Sequence, residues 1–600
     1  MGRRSRVKEV HIVNRRRFLQ RAGAGLAAWG LGAWPKTTAA VEAGPSSPRP
    51  NVVLVMTDDQ GYGDIMALGN RHIRTPHLDR LWARSVRLTD FHVDPTCAPT
   101  RAALMTGRYS SRTGVWHTIM GRSLLAADEV TMADVFKASG YATGVFGKWH
   151  LGDNYPFRPQ DRGFDEVLVH GGGGVGQLPD YWGNDYFDDT YWHNGVPHKY
   201  TGYCTDVWFA GAMRFIEAHR DGPFFCYLPT NAPHGPYHVP EGYARPYRDD
   251  PAVPNADFYG MITNIDDNVG RLREHLRRLG LGDNTILVFM TDNGTAAGYR
   301  GDKGHNAGMR GTKGSEYDGG HRVPCFVHWP EGGVSGGRDV DALAAHIDLL
   351  PTFIDLCGLK APQADLDGAS LAPLLRGGAT PWPQRTLFVH SQRIEWPEKW
   401  RKSAAMTERW RLINGKELYD IQADPGQAND VAARHPDVVA QLRRAYETWW
   451  EHINDRFDGY CEIVLGSDRE NPSRLTSHDW HTDNGPVPWN QQAVLAGLKA
   501  NGFWAVHLER AGRYRFELRR WPEEVALPMR AAPDRGKALD IVEARIRIAA
   551  QSESTKVGPE DRAAVFTLSL PAGSTRLDTE LIERDGTGRG AYFVYVERLA

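Results

Sequence analysis

Two stretches of this 600-residue chain end alike: residues 51–56 lead into Thr57-Asp58-Asp59, and residues 285–290 lead into Thr291-Asp292-Asn293. A continuous apolar run is the pattern of a strand buried on both faces, and in open parallel sheets ligands gather beyond the carboxyl ends of the strands. If these two strands are neighbours, three carboxylates and an amide share one crevice. That many oxygens repel one another unless a cation intervenes, and an all-oxygen shell suits a hard dication, calcium first and magnesium second, rather than zinc. Between the two runs stands Cys97-Ala98-Pro99-Thr100-Arg101, followed by Ala102 to Gly107. It reads as a short helix with Cys97 at its mouth and Arg101 on the next turn. Pro99 suits a first helical position, Gly107 suits a C-cap, and the backbone N–H groups at such a mouth attract an anion.

Two further runs end in polar residues. Residues 141–146 lead into Gly147-Lys148-Trp149-His150, where alternation sends Lys148 and His150 to the same side, and residues 224–228 lead into a turn that carries His234. A glycine-rich stretch holds Arg310-Gly311-Thr312-Lys313-Gly314. Residues 171–174 are four glycines, followed by an insertion with Tyr181, Trp182, Tyr186, Phe187, Tyr191, Trp192 and Tyr200. Aromatic faces of this kind stack on sugar rings or pack as a local core.

Together these segments resemble the formylglycine-dependent sulfatases, also called arylsulfatases, of the alkaline-phosphatase-like superfamily. Cys97, Pro99 and Arg101 fit the Cys-x-Pro-x-Arg core of that family, with Thr100 where serine is commonest. The resemblance implies that a formylglycine-generating enzyme oxidises Cys97 to formylglycine, whose hydrate attacks the sulfur of a sulfate ester. It places Asp58, Asp59, Asp292, Asn293 and the modified Cys97 on one calcium ion. Arg101, Lys148 and Lys313 then neutralise the ester, with Lys313 preferred over Lys303 for its surroundings. His234 protonates the departing alcohol, and His150 helps the second hydroxyl expel inorganic sulfate. The substrate reading that follows is a sulfated carbohydrate. Two alternatives stand beside it: a formylglycine-dependent phosphonate or phosphate ester hydrolase, and a non-catalytic glycan-binding protein.

The length predicts several domains. Residues 51–360 alternate apolar runs with amphipathic segments, as expected for a mainly parallel α/β sheet sandwiched by helices, the architecture that the resemblance also implies. Residues 361–470 read as a smaller α+β subdomain with a helix over about 436–454, whose Val438, Val439, Leu442, Ala445 and Trp449 share one face. Residues 471–600 read as a β-rich accessory domain. The 71 basic and 73 acidic residues nearly cancel, which argues against a nucleic-acid partner. Residues 1–40 carry Arg15-Arg16-Arg17-Phe18-Leu19 before an apolar run, resembling a signal for the twin-arginine (Tat) export machinery, with residues 41–50 a linker. The expectation is a periplasmic or secreted protein with no stable membrane anchor. Six cysteines are too few for a disulfide scaffold, though one bridge is open to them.

Overall fold

The computed structural model describes residues 49–378, 382–483 and 485–599. The expected export signal, residues 1–40, and most of the linker lie outside the described residues.

The centre is a ten-stranded sheet in the order 339–340, 86–88, 325–328, 285–291, 51–57, 224–229, 142–148, 166–170, 190–193 and 196–199. The five strands from Thr285–Thr291 to Glu166–His170 run parallel, and the strands outside them bring in antiparallel pairings. Every residue of Asn51–Thr57 and of Thr285–Thr291 is buried, because helices cover both faces and no polar alternation is needed. One covering helix, Ala256–Arg278, shows how the sequence enforces this. The Asn255 side chain accepts the Phe258 N–H at its start, Arg277 and Arg278 lie in its last turn, and Ile262, Ile265, Val269, Leu272 and Leu276 are buried along one stripe. No helix among the described residues is long and apolar enough to cross a membrane.

A four-stranded antiparallel sheet follows, in the order Leu387–His390, Ser403–Met406, Trp410–Ile413 and Glu417–Asp420. The helix Pro436–Ile453 packs on it through Leu442, Tyr446, Trp449 and Trp450. Arg411 fastens this sheet to the large one: its buried guanidinium lies 2.9 Å from Asp90 and 3.1 Å from Asp318.

The remaining chain forms a six-stranded and a four-stranded sheet, whose first strand is Ile463–Leu465, upstream of residue 471. Strands such as Ala564–Leu570 alternate buried and exposed positions, so each sheet has one apolar face. Trp504, Phe516, Leu577 and Val594 fill the core of this region. Its segment 477–491 reaches the large domain. The Met120 N–H donates to the His478 carbonyl, the Leu178 N–H to that of Trp489, and the Gln491 N–H to that of Gly176. None of the six cysteines is bonded to another.

Candidate active site

The two Met-Thr-Asp runs are adjacent parallel strands in register, with Thr57 opposite Thr291. Asp58 and Asp292 therefore leave the same edge side by side. The Asp59 N–H donates to Asp292 Oδ1 at 3.0 Å, and the Asn293 amide donates to Asp59 Oδ1 at 2.9 Å. Asp59 holds φ = 67°, a left-handed conformation that costs a non-glycine residue about 1–3 kcal/mol and marks a position fixed for another purpose. Asp58 Oδ1 and Asn293 Oδ1 are buried without a hydrogen-bond partner among the described residues. Burial and the neighbouring Asp292 push the Asp58 carboxyl well above its ordinary range. Burial works against the charge on Asp59 too, but Lys313, His234 and the Asn293 amide outweigh it and hold this carboxyl below the usual range. Crowded carboxylates, two orphaned oxygens and no soft donor except a thiol fit a hard dication.

That thiol is Cys97. The helix Cys97–Thr106 is buried throughout, starts at Cys97 itself and ends at Gly107 with φ = 65°. Pro99 is thus the third helical residue rather than the first. The first turn has no intrahelical use for its N–H groups, so proline is tolerated there as well. Ligating atoms of Asp58, Cys97 and Asp292 lie within 4.8 Å of one another, as do those of Asp59, Cys97 and His234. Burial raises the Cys97 thiol above its ordinary range despite Lys148 and Lys313 nearby. An unmodified cysteine here is a poor thiolate nucleophile.

The lysines and histidines come from three other elements. Lys148 ends the strand Ala142–Lys148, with Nζ 2.6 Å from Asp58 Oδ2 and no exposure. Lys313 Nζ lies 2.6 Å from Asp59 Oδ1, whereas Lys303 is exposed on a hairpin. His234 follows the strand Phe224–Pro229, which flanks Asn51–Thr57 on its other side. Its Nδ1 is 2.6 Å from the Gly235 carbonyl, which can only accept, so Nε2 faces Asp59 at 3.8 Å with its lone pair free. Burial and Lys313 push the His234 imidazole down to about 3. His150, also left-handed at φ = 62°, donates from Nε2 to the Thr118 carbonyl at 2.9 Å.

With four strand ends and one helix mouth converging on a single thiol, likeness to known proteins becomes informative. A family model described as sulfatase matches residues 50–359, more than half of the chain. The chain belongs to the sulfatase family. It is therefore an enzyme that hydrolyses sulfate esters, and members of this family generally use a formylglycine and a metal ion. A second model, N-sulphoglucosamine sulphohydrolase C-terminal, matches residues 312–450. The chain is 31% identical to arylsulfatase A of Homo sapiens over 451 residues, 69% of this chain and 85% of that one. It is 30% identical to an N-acetylgalactosamine-6-O-sulfatase of Bacteroides thetaiotaomicron over 504 residues, covering 68% of this chain and 94% of that one. It also superposes on the crystal structure of Ps i-CgsB in complex with k-i-k-neocarrahexaose, at TM-score 0.62 and 29% identity, covering 69% and 95% of the two chains.

Within this sulfatase, Arg101 has a different setting from the one its motif suggests. Its guanidinium is buried and bonded to protein: one nitrogen donates to the Lys148 carbonyl and another to Asp292 Oδ2, both at 2.8 Å. Part of the aromatic insertion is core, and Phe187 is exposed. Tyr186 and Tyr191 are fully buried, and Trp182 packs edge-on against Trp521 of the β-rich region. Tyr186 nonetheless serves the site, since its hydroxyl donates to the His234 carbonyl at 2.7 Å. Sequence reasoning also passed over the four glycines at 171–174. A Cβ on Gly173 would sit 2.3 Å from the His150 ring, and one on Gly174 would sit 3.3 Å from His234. The uninterrupted glycine run was the signal for this close approach.

Proposed function

We propose that this sulfatase removes sulfate from a sulfated carbohydrate, through a formylglycine made from Cys97 and a calcium ion held by Asp58, Asp59, Asp292 and Asn293. The observation that carries the reading is one buried thiol, at the mouth of a helix, facing three carboxylates and two lysines. When present, a hydrated formylglycine supplies two hydroxyls on one carbon, and the ion supplies the charge that polarises them and the ester.

The remaining chemistry belongs to this chain. Lys148 and Lys313, held by Asp58 and Asp59 respectively, bind the sulfate oxygens and offset the charge that develops as the S–O bond breaks. Arg101 orients Asp292 and the carbonyl of Lys148. Burial, Lys313 and Lys148 keep His234 neutral, and an anion held by the two lysines offsets their share. Substrate binding thereby favours the proton on Nε2 that the departing alcohol needs. His150 keeps its own proton on Nε2 against Thr118 and offers Nδ1 as a base.

Two relatives support a carbohydrate substrate: one is named for N-acetylgalactosamine 6-O-sulfate, and a solved structure holds a neocarrahexaose. The arginine pair near the N-terminus supports Tat export to the periplasm. The deciding experiment co-expresses the chain with a formylglycine-generating enzyme and weighs the peptide that contains Cys97. Conversion makes it about 18 mass units lighter, as an aldehyde replaces the thiol carbon. A peptide that keeps its thiol while a control substrate is converted ends this reading. The converted enzyme is then assayed on 4-nitrophenyl sulfate beside a matched aryl phosphonate, and on sulfated oligosaccharides.

A further inference from the structure

The β-rich region places one side chain against the catalytic machinery. After the strand Ser473–Thr476 the chain makes a single 3-10 turn, Ser477–Asp479, which points His478 into the large domain. The turn is held firmly. The Ser477 N–H donates to the Tyr592 carbonyl at 2.8 Å, the Ser477 hydroxyl to that of Pro488 at 2.7 Å, and the Met120 N–H to that of His478 at 2.9 Å. The His478 ring then lies 6.4 Å from the His150 ring, centroid to centroid, at an interplanar angle of 56°.

Each imidazole has one ring nitrogen committed to a hydrogen bond and the other left over. The Thr118 carbonyl can only accept, so the His150 proton is on Nε2 and Nδ1 keeps its lone pair. The Asp479 carboxylate lies 2.9 Å from His478 Nδ1 and can only accept, so that nitrogen carries a proton and Nε2 is the atom that faces away from it. His150 Nδ1 and His478 Nε2 are both buried with no hydrogen-bond partner among the described residues. A buried polar atom in this state calls for an explanation, and a catalytic role is one of the recognised ones. His478 and Asp479 are themselves buried, and they lie beyond the residues matched by either family model.

We propose that the Asp479–His478 pair is a positioning element of the catalytic centre, keeping the His150 imidazole neutral and its Nδ1 free to take a proton. The inference rests on the sulfatase reading above and adds that the appended β-rich region completes the site. The charged groups around the two rings agree with it. Lys148 and Arg101 face His150 from the large domain, so a third potential cation at His478 works against an imidazolium there. Asp479, Asp153 and His117 are the titratable neighbours of His478. Burial, Lys148 and His478 together hold the His150 imidazole well below its ordinary range.

The test compares the full-length converted enzyme with His478→Gln and Asp479→Asn, reading kcat and KM for 4-nitrophenyl sulfate against pH. A second readout needs no turnover: exchange of the His150 ring C2 hydrogen, followed by mass spectrometry, reports the titration of that ring. The expected result for His478→Gln is a kcat lowered about tenfold at acid pH, an acid limb moved to higher pH, and little change in KM. The His150 exchange midpoint moves the same way, and Asp479→Asn shows a smaller shift in that direction. A folded His478→Gln enzyme with the parent pH profile and an unmoved His150 titration overturns the proposal, and so does an effect on KM alone. Absence of sulfate ester hydrolysis in the parent enzyme overturns the proposed function instead, and the exchange measurement still decides the role of His478.

Discussion

Arg101 and Asp292 form a buried ion pair, guanidinium to carboxylate at 2.8 Å, and the same guanidinium holds the main-chain carbonyl of Lys148. One side chain from a helix thereby ties together the ends of two strands that do not touch each other in the sheet. Removing one partner of a buried pair leaves an uncompensated charge and typically costs about 3–5 kcal/mol. Arg101→Ala is expected to lose about that much stability in urea unfolding, and to lose activity even where it stays folded. Arg101→Lys keeps the charge but not the planar fork that reaches both acceptors, so its activity falls by more than its stability. Equal losses of both in the lysine variant count against the orienting role given to Arg101.

Cys97 is buried at the start of its helix, and serine differs from it by one atom. Cys97→Ser should fold like the parent. Expressed beside an enzyme that converts only cysteine, it should keep its hydroxymethyl group and lose at least about a thousandfold in kcat on 4-nitrophenyl sulfate, the order of a lost catalytic nucleophile. Retained turnover in a variant whose serine is shown by mass to be unconverted sinks the formylglycine mechanism.

The role of His234 shows in the leaving group. If Nε2 protonates the departing oxygen, His234→Gln should slow esters of alkyl alcohols by about 10²–10⁴-fold, and slow 4-nitrophenyl sulfate much less, because that phenol leaves without help. A similar loss on both classes assigns His234 to binding rather than proton transfer.

Buried histidines contribute to the acid stability. Burial holds His117, His170 and His321 down to about 3, against an ordinary histidine value of 6.5. Between those values the unfolded chain binds protons that the folded chain refuses, so the stability they contribute is complete above pH 6.5 and is lost progressively as pH falls towards 3. Urea unfolding at pH 7.0 and pH 4.5 is expected to show the fall. Replacing His170 by glutamine, which carries no charge at either pH, should shrink the difference, each pKa unit being worth about 1.4 kcal/mol.

Gly173 tests the floor of the site. A methyl group there meets the His150 ring at 2.3 Å, whereas a Cβ on Gly222 has nothing within 4 Å. Gly173→Ala should cost about 1–3 kcal/mol through overpacking and lower kcat through displacement of His150, with Gly222→Ala near neutral. Enzyme assays and melting curves of the two variants side by side make the comparison.

The chain itself determined the local parts of this protein. Short continuous apolar runs had the pattern of strands covered on both faces, Gly107 could end the helix that Cys97 begins, and the doubled Met-Thr-Asp ending foretold two alike strand termini. Those features depend on residue type and on neighbours a few positions away, which is the range over which periodicity and capping act. The tertiary structure decided what depends on distance across the fold. The register of Thr57 with Thr291 brings Asp58 beside Asp292. The packing of one helix on the sheet turns Arg101 from a free cation into a clamp, and burial makes Tyr186 and Tyr191 of the aromatic insertion part of a core. Pairing partners, burial and the charge felt by a side chain are sums over residues hundreds of positions apart. For that reason nothing local to residues 477–479 announced that His478 stands against His150.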